Sequence, residues 1–391
     1  MTLPKGPHST KKKQIWVFAL ASFLNDFGSD IIYPIWPLFV TSVMGANMVV
    51  LGFLDGLGDA TVSLSQAASG YISDKIQKRK VWIWLGYLLG SASRLGYAVS
   101  TTWHHLIPFR ILDRAGKIRS APRDAAVADL STENERGKHF GFLRMMDHLG
   151  AVCGIVFCLV FFGLGYRTLF AIAAVPSLIA VLLIVLFVVD RPFAATRAFR
   201  GISLRHISKN FWLFTASSAL FAVAGFSYSF LLIYAAQRGA VQSTIPIFYL
   251  LFTLVAAVSS LPFGHLSDRW GKKRLIAASY VFWGLTCFAL LAETSIIGAV
   301  VCFVLYGLHK GALEPVQKAF VSALAPAEYR ASALGGFQMV IGLCAFPSSV
   351  IAGFLWEEVG VLAPLYFSLV LTILSTGILL FVHEKTEDNP N

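Results

Sequence analysis

The chain has 391 residues, of which 56% are hydrophobic and only 14% charged, and its mean hydropathy is +0.68. An ordinary soluble protein is about a quarter charged, so this composition excludes a set of water-soluble domains. A formal charge of +11 would suit a nucleic-acid binder, but the basic residues are distributed as a topology signal and no nucleic-acid partner is expected.

From the N-terminus, Lys11, Lys12 and Lys13 lead into a long apolar run with no small-residue cleavage site behind it, so this first run is expected to be retained. Similar runs of about 18–25 residues recur along the chain, each long enough to cross a hydrocarbon core of about 30 Å. Hydropathy and turn residues predict twelve helices, at about 14–40, 48–70, 81–101, 105–127, 138–162, 168–189, 210–237, 244–264, 275–292, 296–321, 331–355 and 361–382. The expected fold is therefore an all-α polytopic membrane protein. Two six-helix bundles, 1–189 and 210–391, flank a basic linker, 190–209, that carries Arg191, Arg197, Arg200, Arg205 and Lys209.

About 21 of the 32 basic residues fall in loops on one side of this arrangement, and only Arg167 and Arg238 fall on the other. The positive-inside rule then places both termini in the cytoplasm and the protein in the cell (inner) membrane. The remaining basic residues lie inside predicted spans. The five cysteines, Cys153, Cys158, Cys287, Cys302 and Cys344, are scattered in apolar runs and read as small core hydrophobes. There is no P-loop, H-E-x-x-H, G-x-S-x-G or metal-ligand spacing, so neither catalysis nor a cofactor or bound metal is expected.

The chain repeats itself. GYISDKIQKRKVWI from Gly70 matches GHLSDRWGKKRLI from Gly264 at an offset of 194, and Lys117 with Pro122 answers Lys310 with Pro315 at 193. Two copies of a six-helix unit suggest a repeat-built secondary transporter. The two loops resemble the G-x-L-x-D-R-x-G-R-R signature of the major facilitator superfamily. Gly264, Asp268, Arg269 and Gly271 fit in the second copy; Gly70, Asp74, Lys75 and Arg79 fit in the first, where Gln77 replaces the second glycine. The resemblance covers essentially the whole chain and implies two pseudo-symmetric bundles, a cavity lined by helices 1, 4, 7 and 10, and a gating latch built on these loops. An Asp at a helix end can accept hydrogen bonds from a neighbouring helix N-terminus, which gives such a latch its chemistry.

RILDRAGKIRSAPRDA, from Arg110, places seven charged residues in sixteen positions of the fourth helix. At 100° per residue Arg110, Asp113, Arg114, Lys117 and Asp124 share one face, while Arg119 and Arg123 point the other way. One charge at the bilayer centre costs about 2.5–3.5 kcal/mol, so the shared face must look into protein or water. Nearby helices offer Asn25, Asp26, Ser29, Asp30 and Tyr33; Asp55 and Asp59; Arg94; and Arg144, Asp147 and His148. The second half offers Lys310, Glu314 and Lys318. Asp26 and Asp30 are the proton-coupling candidates. Asn25, Arg110, Asp113, Arg114, Lys117, Arg144, Asp147, Lys310 and Glu314 are the candidate cavity groups, for gating pairs or an anionic part of the solute; the alternative, and the reading favoured for Arg119, Arg123 and Asp124 near the cytoplasmic end, is a structural salt-bridge network holding helices 1, 2, 4 and 5 together. The motif D-R-x-G-K followed by R-x-x-P-R-D-A also resembles a bacterial subgroup with an expected G-K-G-I-R. Here Gly116-Lys117 runs straight into Ile118-Arg119, and a missing residue rotates the two ends of the motif by about 100°.

Gly150 and Gly154 in the fifth helix have the small-xxx-small spacing that permits close helix packing. The expected function is secondary transport of a small organic solute by alternating access, coupled to protons, by a monomer in the lipid bilayer, with export favoured. Import of an anionic solute or a siderophore-like metal chelate is the rival within transport. A non-transporting sensor or partner subunit is the rival from another class.

Overall fold

The computed structural model describes residues 7–76, 78–190, 208–292, 295–325 and 330–384. The predicted linker lies outside the described residues except at its ends. The first half comprises α1 (Pro7–Ile32), α2 (Met48–Ile76), α3 (Lys80–Val99), α4 (Trp103–Ala115), α5 (Ser120–Leu130), α6 (Glu133–Val160) and α7 (Tyr166–Phe187). The second comprises α8 (Lys209–Ala224), α9 (Tyr228–Gln237), α10 (Ile245–Trp270), α11 (Lys272–Ala292), α12 (Ile296–Leu324), α13 (Arg330–Glu358) and α14 (Ala363–Leu380). No strand occurs among the described residues.

Ten described segments are long and apolar enough to cross a membrane. The other two predicted crossings are also helical. One is α3; the other, the charged fourth crossing, is divided into α4, a 3-10 turn at Gly116–Arg119, and α5. The predicted seventh helix is divided as well. Gly225 has an extended ψ of 99° and closes α8, after which the Ser227 side chain accepts from Ser229 N and caps α9. A local cap overrides the apolar pattern there, which runs unbroken through both pieces.

The chain forms two compact units, Met1–Gly45 with Thr61–Phe199, and Ala46–Ala60 with Arg200–Asn391. In the first unit α1 packs on α6 and α7, and α3 on α7 and α4. Its core joins Phe18, Ile83, Tyr87, Val127, Leu143 and Ile184 from five helices. In the second, α12 packs on α10 and α11, and α8 on α13 and α14. Large apolar side chains such as Val175, Leu178, Leu182 and Leu186 on α7 stay exposed, while Asn25, Arg94, Arg110 and Asp147 are buried. Apolar outside and polar inside is the arrangement a lipid solvent demands.

Each unit fastens the N-terminus of one helix with a carboxylate from the chain end of another. Asp190, just after α7, accepts from the backbone N–H of Arg79 (3.2 Å) and Lys80 (2.9 Å) at the start of α3. Glu384, after α14, accepts from Lys272 N (2.7 Å) and Lys273 N (3.1 Å) at the start of α11. Lys80 Nζ and Lys273 Nζ reach back to the carbonyls of Val185 and Leu380, each at 2.7 Å. Anions at helix N-termini satisfy otherwise unpaired N–H groups and oppose the dipole. Asp190→Ala and Glu384→Ala should each cost about 1 kcal/mol. This predicts a fall of about 2–4 °C in thermal unfolding of the detergent-solubilised protein.

Candidate functional site

The 3-10 turn at Gly116–Arg119 decides where the charges of the fourth crossing point. A 3-10 helix advances about 120° per residue against about 100° in an α-helix, so four residues swing everything beyond them by about 80°. The turn is seated against α3 at a glycine contact: a Cβ on Gly86 would collide with the Gly116 carbonyl, and one on Gly116 with Gly86 O.

The consequence corrects the helical-wheel expectation for Arg119 and Arg123. Both are buried inside the first unit and meet carboxylates of other helices. Arg119 Nη2 stands 3.9 Å from Asp26 Oδ1 on α1. It also donates to Gly116 O at 2.8 Å and lies over the Tyr87 ring at 5.0 Å. Arg123 donates to Ser22 Oγ (2.6 Å), pairs with Asp147 Oδ1 (3.3 Å) and pairs with neighbouring Asp124 (3.0 Å). Arg144 on α6 bridges Asp124 at 3.3 Å and Asp147 at 3.2 Å. A closed set of two cations and two anions therefore ties α5 to α6, with Ser22 joining α1.

The three cations expected to face a solute differ from one another. Arg110 is buried with its guanidinium 4.4 Å from the Trp36 ring centroid. Arg114 lies 4.8 Å over the Tyr33 ring, donates to the Tyr33 hydroxyl (3.3 Å) and approaches Asp113 at 3.6 Å. Lys117 is half-buried and forms no ion pair among the described residues. Asp113 also accepts from Ser93 Oγ at 3.5 Å. Asp30 is 8% exposed, one turn beyond Asp26 on α1. Asp26 accepts from Asn25 Nδ2 at 2.9 Å.

In the second unit Lys310 lies over the Tyr306 ring at 5.7 Å, within electrostatic reach of Glu314 and of Asp59. Buried His309 is held at Nδ1 by Ser279, whose carbonyl is 2.9 Å away. Asp55, also buried, accepts from Ser227 Oγ at 2.7 Å, where the seventh crossing is interrupted. Pro315 lies within a continuous α12, so the repeat does not break its tenth crossing as it breaks its fourth.

The gating-motif residues separate too. Arg79 is buried and pairs with Asp129 at the end of α5. Gly70 lies in α2; the side chains of Asp74 and Lys75, and all of Gln77, lie outside the described residues. In the second copy Asp268 pairs with Lys272 at 3.8 Å, and Arg269 is exposed. Gly271 has a φ of 94°, and a Cβ there would stand 2.8 Å from Glu384 Oε2. The motif glycine thus leaves room for the carboxylate that caps α11. Sequence reasoning missed Asp129, Ser177, Asp190 and Glu384. For the last two the signal was present, because they are separated by the 194-residue offset of the repeat.

The family model described as Major Facilitator Superfamily matches residues 18–252 and 231–391. An uncharacterised MFS-type transporter of Methanocaldococcus jannaschii is 35% identical over 382 residues, covering 95% of each chain. The quinolone resistance protein NorA of Staphylococcus aureus is 23% identical over 220 residues, 56% of each chain. Among solved structures, a nucleoside transporter superimposes with a TM-score of 0.80 at 15% identity, covering 94% of this chain and 98% of its own. A bacterial homologue of the human lysosomal transporter Spinster, inward-facing and occupied, gives 0.78 at 15% identity with 97% of both chains covered. With a family model matching nearly its whole length and the fold in agreement, the chain belongs to the major facilitator superfamily of membrane transporters.

Proposed function

We propose that this chain is a proton-coupled secondary transporter that exports a small amphiphilic organic solute. The observation that carries the coupling is the Asp26–Arg119 pair. Asp26 is 24% exposed at its side chain and meets Arg119 only at 3.9 Å, the loose end of an ion pair. Arg119 keeps the Gly116 carbonyl and the Tyr87 ring when Asp26 takes a proton, so its charge is not stranded. Asp147, by contrast, is gripped by two arginines and reads as structural. Export is supported by the likeness to NorA. Asp30 is the second coupling candidate, and the Arg79–Asp129 contact is the proposed latch of the first unit.

The test is reconstitution in liposomes under an imposed pH gradient, with a panel containing a fluoroquinolone, a nucleoside and an organic anion. Solute and proton movement are both recorded. Asp26→Asn should reduce gradient-driven transport to the level of protein-free liposomes while the thermal unfolding temperature is kept. Unchanged proton-linked transport in Asp26→Asn overturns the assignment. Uptake of the organic anion that disappears in Lys117→Gln replaces export with import of an anion, the reading favoured by the absence of an ion pair at Lys117 among the described residues. No flux of any kind across the panel favours a sensor.

A further inference from the structure

Arg94 of α3 is 1% exposed and forms no ion pair among the described residues. An arginine sunk in a membrane protein must be satisfied by something, and here the acceptors are neutral. Its guanidinium donates to Ala173 O (2.9 Å), Ser29 Oγ (2.7 Å), Asn25 O (3.3 Å), Asn25 Oδ1 (3.4 Å) and Ser177 Oγ. Gly28 makes the space, since a Cβ there would collide with both Arg94 Nη1 and the Ala173 carbonyl.

The cage fixes one amide. Asn25 Oδ1 accepts from Ser177 Oγ at 3.1 Å as well as from Arg94. An Asn side chain has one acceptor and one donor end, so two donors at Oδ1 dictate that Nδ2 turns the other way. Nδ2 then points at Asp26 Oδ1, 2.9 Å away. Asn25 is 1% exposed, so no water competes for that orientation.

We infer that Arg94, Ser177 and Asn25 are positioning residues that hold a fixed hydrogen-bond donor against Asp26 and so set the pH at which Asp26 takes a proton. The inference builds on the reading of Asp26 as the coupling carboxylate. A donor held against a carboxylate favours its charged form, and removing it makes proton uptake easier. Among the described residues the other charged groups near Asp26 are Asp30 one turn on along α1, Arg119 in the 3-10 turn, Arg123 on α5, Asp147 on α6 and the Arg94 charge itself. Arg144 and Lys117 act on Asp147. From α7 the cage takes Ser177 and the Ala173 carbonyl, both neutral. Against that fixed background of charge, the Asn25 donor is the adjustable element.

The experiment is an infrared pH titration of the full-length protein in liposomes, following the carboxyl C=O band that is absent from Asp26→Asn. In Asn25→Ala the midpoint should rise by about one pH unit. Ser177→Ala should move it the same way by less, and Ser177→Thr, which keeps the hydroxyl, should leave it unchanged. A structural role alone would lower the unfolding temperature without moving the midpoint. Unshifted midpoints in Asn25→Ala and Ser177→Ala overturn the inference, as does an equal shift in Ser177→Thr. If Asn25→Ala does not fold, Ser177→Ala decides. The titration reads the positioning whether or not Asp26 couples transport, whereas proton-linked transport surviving in Asp26→Asn overturns only the coupling.

Discussion

Replacing Arg123 by leucine should destabilise the protein by about 3–5 kcal/mol, because it leaves a buried carboxylate without its inner partner. Asp147 is 8% exposed, and once Arg123 is gone its remaining ion-pair partner among the described residues is Arg144, whose side chain is 57% exposed and screened accordingly. Ser22 loses its 2.6 Å contact at the same time. Thermal unfolding in detergent should fall by about 6 °C or more. Arg123→Lys should fall between, since one ammonium lacks the planar fork that reaches Ser22, Asp124 and Asp147 together. The double variant Arg123→Leu with Asp147→Leu should recover part of the loss, because removing both members of a buried pair costs less than stranding one. A double variant as unstable as the sum of the singles would refute the account of these residues as one coupled set.

A second large effect is expected on the face of α6 that meets α1. A Cβ on Gly150 would collide with the Phe23 carbonyl, and one on Gly154 with the Phe27 carbonyl. Backbone cannot yield as a flexible side chain does, so α1 would have to move away from α6, disturbing the contacts of Asp26 with Arg119 and of Ser22 with Arg123. Alanine at either position should cost about 1–3 kcal/mol, and valine at both should leave no folded protein to purify. Gly141, on the same helix about two and a half turns before Gly150, has nothing within 4 Å of the place a Cβ would take. Gly141→Ala should therefore be neutral or slightly stabilising through helix propensity. Equal losses at Gly141 and Gly154 would show that the effect belongs to the helix alone rather than to its contact with α1.

The small-xxx-small spacing of Gly150 and Gly154 was legible because a four-residue interval is a local property of one helix. So were the twelve helical segments, whose long apolar runs follow from the thickness of the hydrocarbon core. The charge-bearing fourth crossing was legible too, but the directions of its side chains were not. A wheel assumes a constant 100° per residue, whereas the turn at Gly116–Arg119 is tightened where it packs against Gly86 of another helix.

The break at Gly225–Ser227 and the pairing of Asp26 with Arg119 likewise depend on neighbours that no local pattern names. The sequence by itself determined that the chain crosses a membrane in two related halves and keeps its charges in a few helices, because hydropathy, period and repeat are local or internal comparisons. Only the tertiary structure decided which buried charge meets which, because a partner is chosen by the packing of helices far apart in the chain, and there a single overwound turn swings Arg123 by about 80° from where a constant pitch would aim it.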